Sequence, residues 1–290
     1  MAKYNALGIL PEGRPGPWGD PVFIEYDRRD VLLYAVGIGV TDLRYTYEGH
    51  SDYSVFPTFP IRWGSRGAPI NENFIPRSPL PLMIDAERFL SVEKPLPLEG
   101  TVSVKSRLIG IHPRSKGSGF VECESIVTDE DGDVCVRMAN GSFRRGVEKL
   151  GDIEPFEGSG DTFSQKISVP DRAPDFTAET QIALNQAHIY RLSGDYNSLH
   201  IDPEAARFGG FEEPILHGLC TFGHCAQLLL KTLCDGSGDR FKAIKLRFSA
   251  PVYPGDQLRL SAWKDGGNRV LFEANVGDTV VVSNAYFEFV

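Results

Sequence analysis

Asp195, Asn197 and His200 stand two and three residues apart in the stretch Tyr190-Arg191-Leu192-Ser193-Gly194-Asp195-Tyr196-Asn197-Ser198-Leu199-His200-Ile201-Asp202-Pro203. A carboxylate and an imidazole that both reach one water can withdraw its proton and return one elsewhere, which is what adding water to a double bond requires. An amide between them can hold the geometry without changing charge. Gly194 suits a helix end, so the triplet falls on irregular backbone, where polar groups can converge on a cleft. Read alone, Asp195 and Asn197 also suit a turn, and His200 suits a packed histidine.

A second stretch, Pro214-Ile215-Leu216-His217-Gly218-Leu219, leads into a long apolar segment. A glycine at a helix N-terminus exposes a backbone N–H at the positive end of the helix dipole, a ready site for a developing oxyanion. The plainer alternative is that Gly218 only lets the chain turn into a packed helix. His217, Cys220 and His224 could share one helix face, but their spacing matches no usual zinc pattern, and cysteine on an apolar helix is more often core. No metal is expected.

The elements that must position these groups are legible in outline. Leu219 to Leu233 has helical length, is apolar on nearly all sides and should be buried within strands. A shorter helix is predicted from Asn185 to Leu192. Ala243–Phe248, Gln257–Trp263, Arg269–Val276 and Thr279–Phe289 alternate like an antiparallel meander with Gly, Asp and Asn turns. Thr101–Ile111, Gly119–Val127 and Asp133–Phe143 do the same earlier, with Asp131-Gly132 as a hairpin turn.

Two matches recur at an offset of 156 residues: Leu33-Tyr34-Ala35-Val36 with Ile189-Tyr190-Arg191-Leu192, and the Pro95 to Val104 region with Pro251 to Leu260. The same order at the same offset points to a duplication, each copy beginning with a short helix, Arg29 to Val36 in the first. The copies differ in one element. Phe56 to Phe74, rich in Pro and Gly, cannot hold a counterpart of the long helix. At that offset Asp195, Asn197 and His200 fall on Gly39, Thr41 and Arg44, so one active site per chain is expected. The polar stretch from Glu148 to Arg172 reads as a linker, giving a first unit over 1–150, a linker over 151–172 and a second unit over 173–290.

The Tyr190 to Pro203 run, with Pro214 to Leu219 downstream, resembles the hydratase 2 motif of (R)-specific 2-enoyl-CoA hydratases in the MaoC-like family. Arg29 to Gly37, Phe56 to Phe59 and the loop Arg114-Ser115-Lys116-Gly117-Ser118-Gly119 resemble that family's first-half signatures, so the likeness covers nearly the whole chain. It implies an α+β double hot-dog fold: two antiparallel sheets around a central helix kept only in the second repeat, with the first repeat housing an acyl chain. It implies the hydration of a 2-enoyl-CoA to a (3R)-hydroxyacyl-CoA, with Asp195 and His200 as acid and base, Asn197 orienting and the Gly218 N–H holding the thioester oxygen. Substrate contacts are implied for Asp85, Ala86, Lys116, Tyr196, Ser198, Leu199 and Phe248. The sequence departs from the family in two places. Asp85-Ala86 stands where the family has His-Gly, and Asn197-Ser198 where it has Asn-Pro. The resemblance also implies a homodimer, peroxisomal fatty acid oxidation and no cofactor beyond the CoA of the substrate. A hot-dog thioesterase and a non-catalytic acyl-CoA-binding module are the alternatives.

Composition limits the field further. The 290 residues are 41% hydrophobic and 24% charged, which is ordinary for a globular chain. A net charge of -9 argues against nucleic acid or an anionic membrane surface as partner. Five cysteines without a C-x-x-C pair suit reduced thiols. No stretch approaches the roughly 18 apolar residues that span a bilayer, the first residues do not resemble a signal peptide, and Phe287 to Val290 is not an S-K-L peroxisomal address. A soluble intracellular protein is expected.

Overall fold

A computed structural model describes residues 17–68, 78, 82–113, 118–146, 156–157 and 166–290. In the first half, β1 (Val22–Tyr26) leads into α1 (Arg28–Gly37) and the single turn α2 (Leu43–Thr46). β2 (Met83–Val92), β3 (Gly100–Pro113), β4 (Ser118–Thr128) and β5 (Val134–Arg145) follow, then the two-residue β6 (Phe156–Glu157). The second half runs through β7 (Phe176–Gln181), α3 (Gln186–Tyr190), α4 (Pro203–Gly209) and α5 (Gly218–Leu233). It closes with the meander β8 (Phe241–Phe248), β9 (Gln257–Lys264), β10 (Arg269–Val276) and β11 (Thr279–Phe289).

The strands form one antiparallel sheet in the order β1-β3-β4-β5-β2-β8-β11-β10-β9-β7, with β6 beside β3. Each half supplies five neighbouring strands, and β2 pairs with β8 to join them, Glu87 opposite Arg247 through Ser91 opposite Ala243. This is a double hot-dog fold. The seam is held by charge as well as by ladder bonds. The buried Glu87 carboxylate meets Lys245 Nζ at 3.4 Å and also pairs with the Arg247 guanidinium.

α5 is the predicted long helix, and eleven of its sixteen residues are buried. Among the described residues the first half has no counterpart. Its centre is filled by an aromatic cluster around the 3-10 turn Phe59–Trp63. The Tyr26 ring lies 5.4 Å from both Phe59 and Trp63, and Phe59 and Trp63 meet edge to face at 5.1 Å. Proline at the start of that turn and Gly64 at its end stop it from lengthening into a helix.

The repeat is visible in space. Tyr34 and Tyr190, which occupy matching positions, pack with ring centroids 6.2 Å apart. The Gln186 side chain donates to the Gly37 carbonyl at 2.5 Å, so α1 and the start of the second half lock together. β1, β2 and β7 are strands that the sequence reading does not include. β7 alternates half-buried and exposed residues, whereas the buried residues of β2 fall in adjacent pairs, Ala86-Glu87 and Leu90-Ser91. The second predicted helix is shorter than expected: α3 ends at Tyr190 and tightens into a 3-10 turn, Arg191–Ser193, which Gly194 closes with φ of 109°. The five cysteines are buried and unbridged. Lys116 and most of the 151–172 linker lie outside the described residues.

Candidate active site

A cavity of about 620 Å³ runs from the start of α5 across the seam into the first half. Asp195, Asn197, Leu199, His200, Gly218 and Phe248 line its second-half side, and Asp85, Arg88, Asn140 and Ser142 line its first-half side. The two short stretches singled out by their chemistry therefore face one space. Ala86, Tyr196 and Ser198 are not among the lining residues. Ala86 is buried in β2, and Tyr196 is exposed, with the Arg191 guanidinium 4.9 Å over its ring.

His200 is presented by a small turn whose cap is Asn197. The Asn197 Oδ1 accepts the Leu199 N–H at 3.1 Å, closing the 3-10 turn Ser198–His200, and Asp195 Oδ1 accepts the Asn197 N–H at 3.3 Å. Asn197 is thus the N-cap of the turn that carries His200. His200 Nδ1 lies 2.9 Å from the Ile215 carbonyl. A carbonyl can only accept, so Nδ1 carries the hydrogen and Nε2 keeps a lone pair. Burial lowers the His200 pKa, which keeps the ring neutral and able to act as a base.

His217 belongs to the site in a way the sequence reading does not assign. Its ring stacks on His200 with centroids 3.8 Å apart, and its Nε2 donates to the Asp195 carbonyl at 3.2 Å. The residue that caps α5 therefore ties down the backbone that carries Asp195. Burial pushes its pKa down to about 2, so it stays uncharged beside His200. Its place in Leu-His-Gly, directly before the helix, is the signal that could have marked it.

Gly218 opens α5, and no described acceptor takes its N–H. A side chain here would crowd the site: a Cβ on Gly218 would lie 3.2 to 3.4 Å from the Phe248 ring. Backbone N–H, helix dipole and a neutral base thus face the same cavity, as general acid–base chemistry on a carbonyl compound requires.

A carboxylate oxygen of Asp195 and a ring nitrogen each of His200 and His217 lie within 4.8 Å of one another. A metal would fit them poorly. Two of the four ring nitrogens are committed to carbonyls, and stacked rings hold their in-plane lone pairs in near-parallel planes instead of converging. The same closeness would let one water molecule reach both Asp195 and His200.

Residues 24–146 match the MFE-2 hydratase 2 N-terminal domain, and residues 165–285 match the MaoC like domain. The probable enoyl-CoA hydratase 2 of Dictyostelium discoideum is 35% identical, over 87% of this chain and 86% of its own length. The peroxisomal multifunctional enzyme type 2 of Mus musculus is 37% identical over 91% of this chain, which spans only 36% of that enzyme's length. Among solved structures, a MaoC-like dehydratase from Phytophthora capsici superposes with a TM-score of 0.82 at 34% identity, covering 94% of this chain and 95% of that one.

Proposed function

The chain belongs to the MaoC-like hydratase 2 family, and from that premise we propose that it hydrates trans-2-enoyl-CoA thioesters to (3R)-3-hydroxyacyl-CoA. The observation that carries this reading is one cavity faced by Asp195, a neutral His200 and the unclaimed Gly218 N–H. Asp195 accepts a hydrogen bond from one hydrogen of a water molecule, which stays on the oxygen, and so fixes its direction. His200 Nε2 takes the other as the water oxygen bonds to C3. Charge moves through C2 onto the thioester oxygen, where the Gly218 N–H receives it. His200 then returns its proton to C2, so hydroxyl and hydrogen are both added and the enzyme is unchanged. His217 and the Asn197 cap hold Asp195 and His200 in place.

The CoA portion is assigned to the outer part of the cavity, with Phe248 beside the thioester; the CoA contact that the resemblance implies for Lys116 falls outside the described residues. The names of several relatives place them in peroxisomes, and we assign this reaction to the same compartment, in fatty acid oxidation, by a homodimer. Incubation with trans-2-octenoyl-CoA tests the activity. Loss of enoyl absorbance with a (3R) alcohol supports it. Release of free thiol would point to a thioesterase, and binding without turnover to an acyl-CoA carrier.

A further inference from the structure

In a strand, side chains three apart face opposite ways. Asp85 and Arg88 nevertheless face the same cavity, because β2 bulges at Ala86: Asp85 pairs with Ser142 and Glu87 with Gly141, one residue further along β5. Arg88 then opposes Asn140. Bulge and register together place Asp85, Arg88, Asn140 and Ser142 on one stretch of cavity wall, beyond the catalytic pair.

Most of the hydrogen-bonding capacity left over on this wall is that of donors. Arg88 Nε donates to both oxygens of Asp85, at 2.9 and 2.8 Å, so the guanidinium is held and the carboxylate engaged. The two terminal nitrogens of Arg88 make no hydrogen bond to a described residue. Asn140 Oδ1 accepts from the Ser65 hydroxyl at 2.5 Å, and Asn140 and Ser142 both line the same space. The Asn140 amide nitrogen and the Arg88 terminal nitrogens can only donate, and the Ser142 hydroxyl can donate or accept. Arg144 and Arg145 line the cavity as well, and Arg145 Nη2 donates to the Gly209 carbonyl at 2.6 Å.

We propose that this wall is a subsite for a carboxylate on the acyl chain, and that the preferred substrates are 2-enoyl thioesters whose far end is anionic. The proposal rests on the hydratase reading and specifies its substrate class. A carboxylate offers acceptors to the Arg88 terminal nitrogens, the Asn140 amide and the Ser142 hydroxyl, and a guanidinium whose Nε is already anchored presents its terminal N–H groups with little loss of freedom. A plain alkyl end filling the same space would strand those donors away from water. Sites built around buried hydrogen-bonding groups reject analogues that lack the partner by large factors.

The test compares trans-2-octenoyl-CoA with the mono-CoA thioester of trans-2-octenedioic acid, and the matching pairs of shorter and longer chains. The wild-type enzyme should favour the carboxylated partner by at least about 10-fold in kcat/KM at the best length. Arg88→Leu should lower kcat/KM for the carboxylated substrate by about 10²-fold and leave the alkyl one within a few-fold. Because that change strands Asp85, the double variant Asp85→Asn/Arg88→Leu is measured beside it, and should show the same reversal. A wild-type enzyme that prefers the alkyl partner at every length would overturn the proposal, as would an Arg88→Leu loss equal for both substrates. If neither substrate is hydrated, the reaction assigned above fails by itself. Calorimetric binding of octanoyl-CoA against octanedioyl mono-CoA then decides the subsite without turnover, equal affinities overturning it.

Discussion

Gly39 leaves no room for a side chain because the His224 ring occupies the space: a Cβ on Gly39 would lie 2.6 Å from His224 Cε1, at a backbone φ of 75°. Gly39 is the position that matches Asp195 in the repeat. The first half therefore has no carboxylate at the position of Asp195 for a steric reason, and the buried His224 fills the space with no hydrogen bond to either ring nitrogen among the described residues.

That packing carries a pH signature. Burial lowers the His224 pKa from 6.5 to about 4. The unfolded chain then binds the proton more readily than the folded one between these values, so stability is full above pH 6.5 and is lost as pH falls towards 4. The expected loss is on the order of 3 kcal/mol. Urea denaturation of wild type and His224→Leu across this range should show a shallower fall for the variant. Parallel curves would mean that His224 does not titrate in this way.

Asp195→Ala and His200→Ala should each lower kcat by at least about 10²-fold while the fold persists, the usual scale for a positioned acid or base. Because the His200 pKa is lowered by burial, its lone pair survives below the ordinary imidazole value. The acid limb of kcat/KM against pH should therefore fall below pH 6.5. A limb above that value would assign the base to another group.

Gly218 separates two roles that a single variant confuses. Gly218→Pro removes the N–H from a first helical position that otherwise tolerates proline, and should cost about 10²–10³ in kcat. Gly218→Ala keeps the N–H but presses on Phe248. Adding Phe248→Leu should restore activity to the Ala variant and not to the Pro variant. Equal rescue of both would make Gly218 a packing residue only.

The buried charges at the seam should be costly to break. Glu87→Ala leaves Lys245 and Arg247 without their shared carboxylate, and breaking a buried pair typically costs about 3–5 kcal/mol. Thermal melting should reveal the change as a large drop in midpoint with hydratase activity retained below it. An unchanged melting temperature would show that other groups at the seam compensate.

Much of this arrangement is legible without coordinates, and what is not has identifiable physical causes. The run from Leu219 to Leu233 announces a buried helix by length and uniform apolarity, and Arg269–Val276 and Thr279–Phe289 keep their bounds because alternation and Gly277-Asp278 fix a tight hairpin. Asp195, His200 and Gly218 could be nominated by residue type, but their convergence depends on the His217 tether to the Asp195 carbonyl, a contact between residues 22 apart. β2 escapes notice because its buried residues fall in adjacent pairs, Ala86-Glu87 and Leu90-Ser91, and lack a period of two. The bulge at Ala86 leaves no mark of its own in the chain, so a period-of-two reading would place Arg88 on the side of the strand away from Asp85.

The junction of β2 with β8 also bears on how such a chain can arise and how it fails. A strand edge with unpaired backbone groups invites association. Here each half meets the other along such an edge and leaves its remaining outer strands, β1 and β7, at the far ends. Two identical half-length proteins meeting along this line would form a symmetric dimer, and joining them in one gene would turn that contact into an internal one. Once joined, one copy could surrender its helix and its catalytic carboxylate, because its neighbour supplied both. The reverse step is no longer open. A second half expressed alone would expose β8, with Lys245 and Arg247 stripped of Glu87, as a sticky and charged margin.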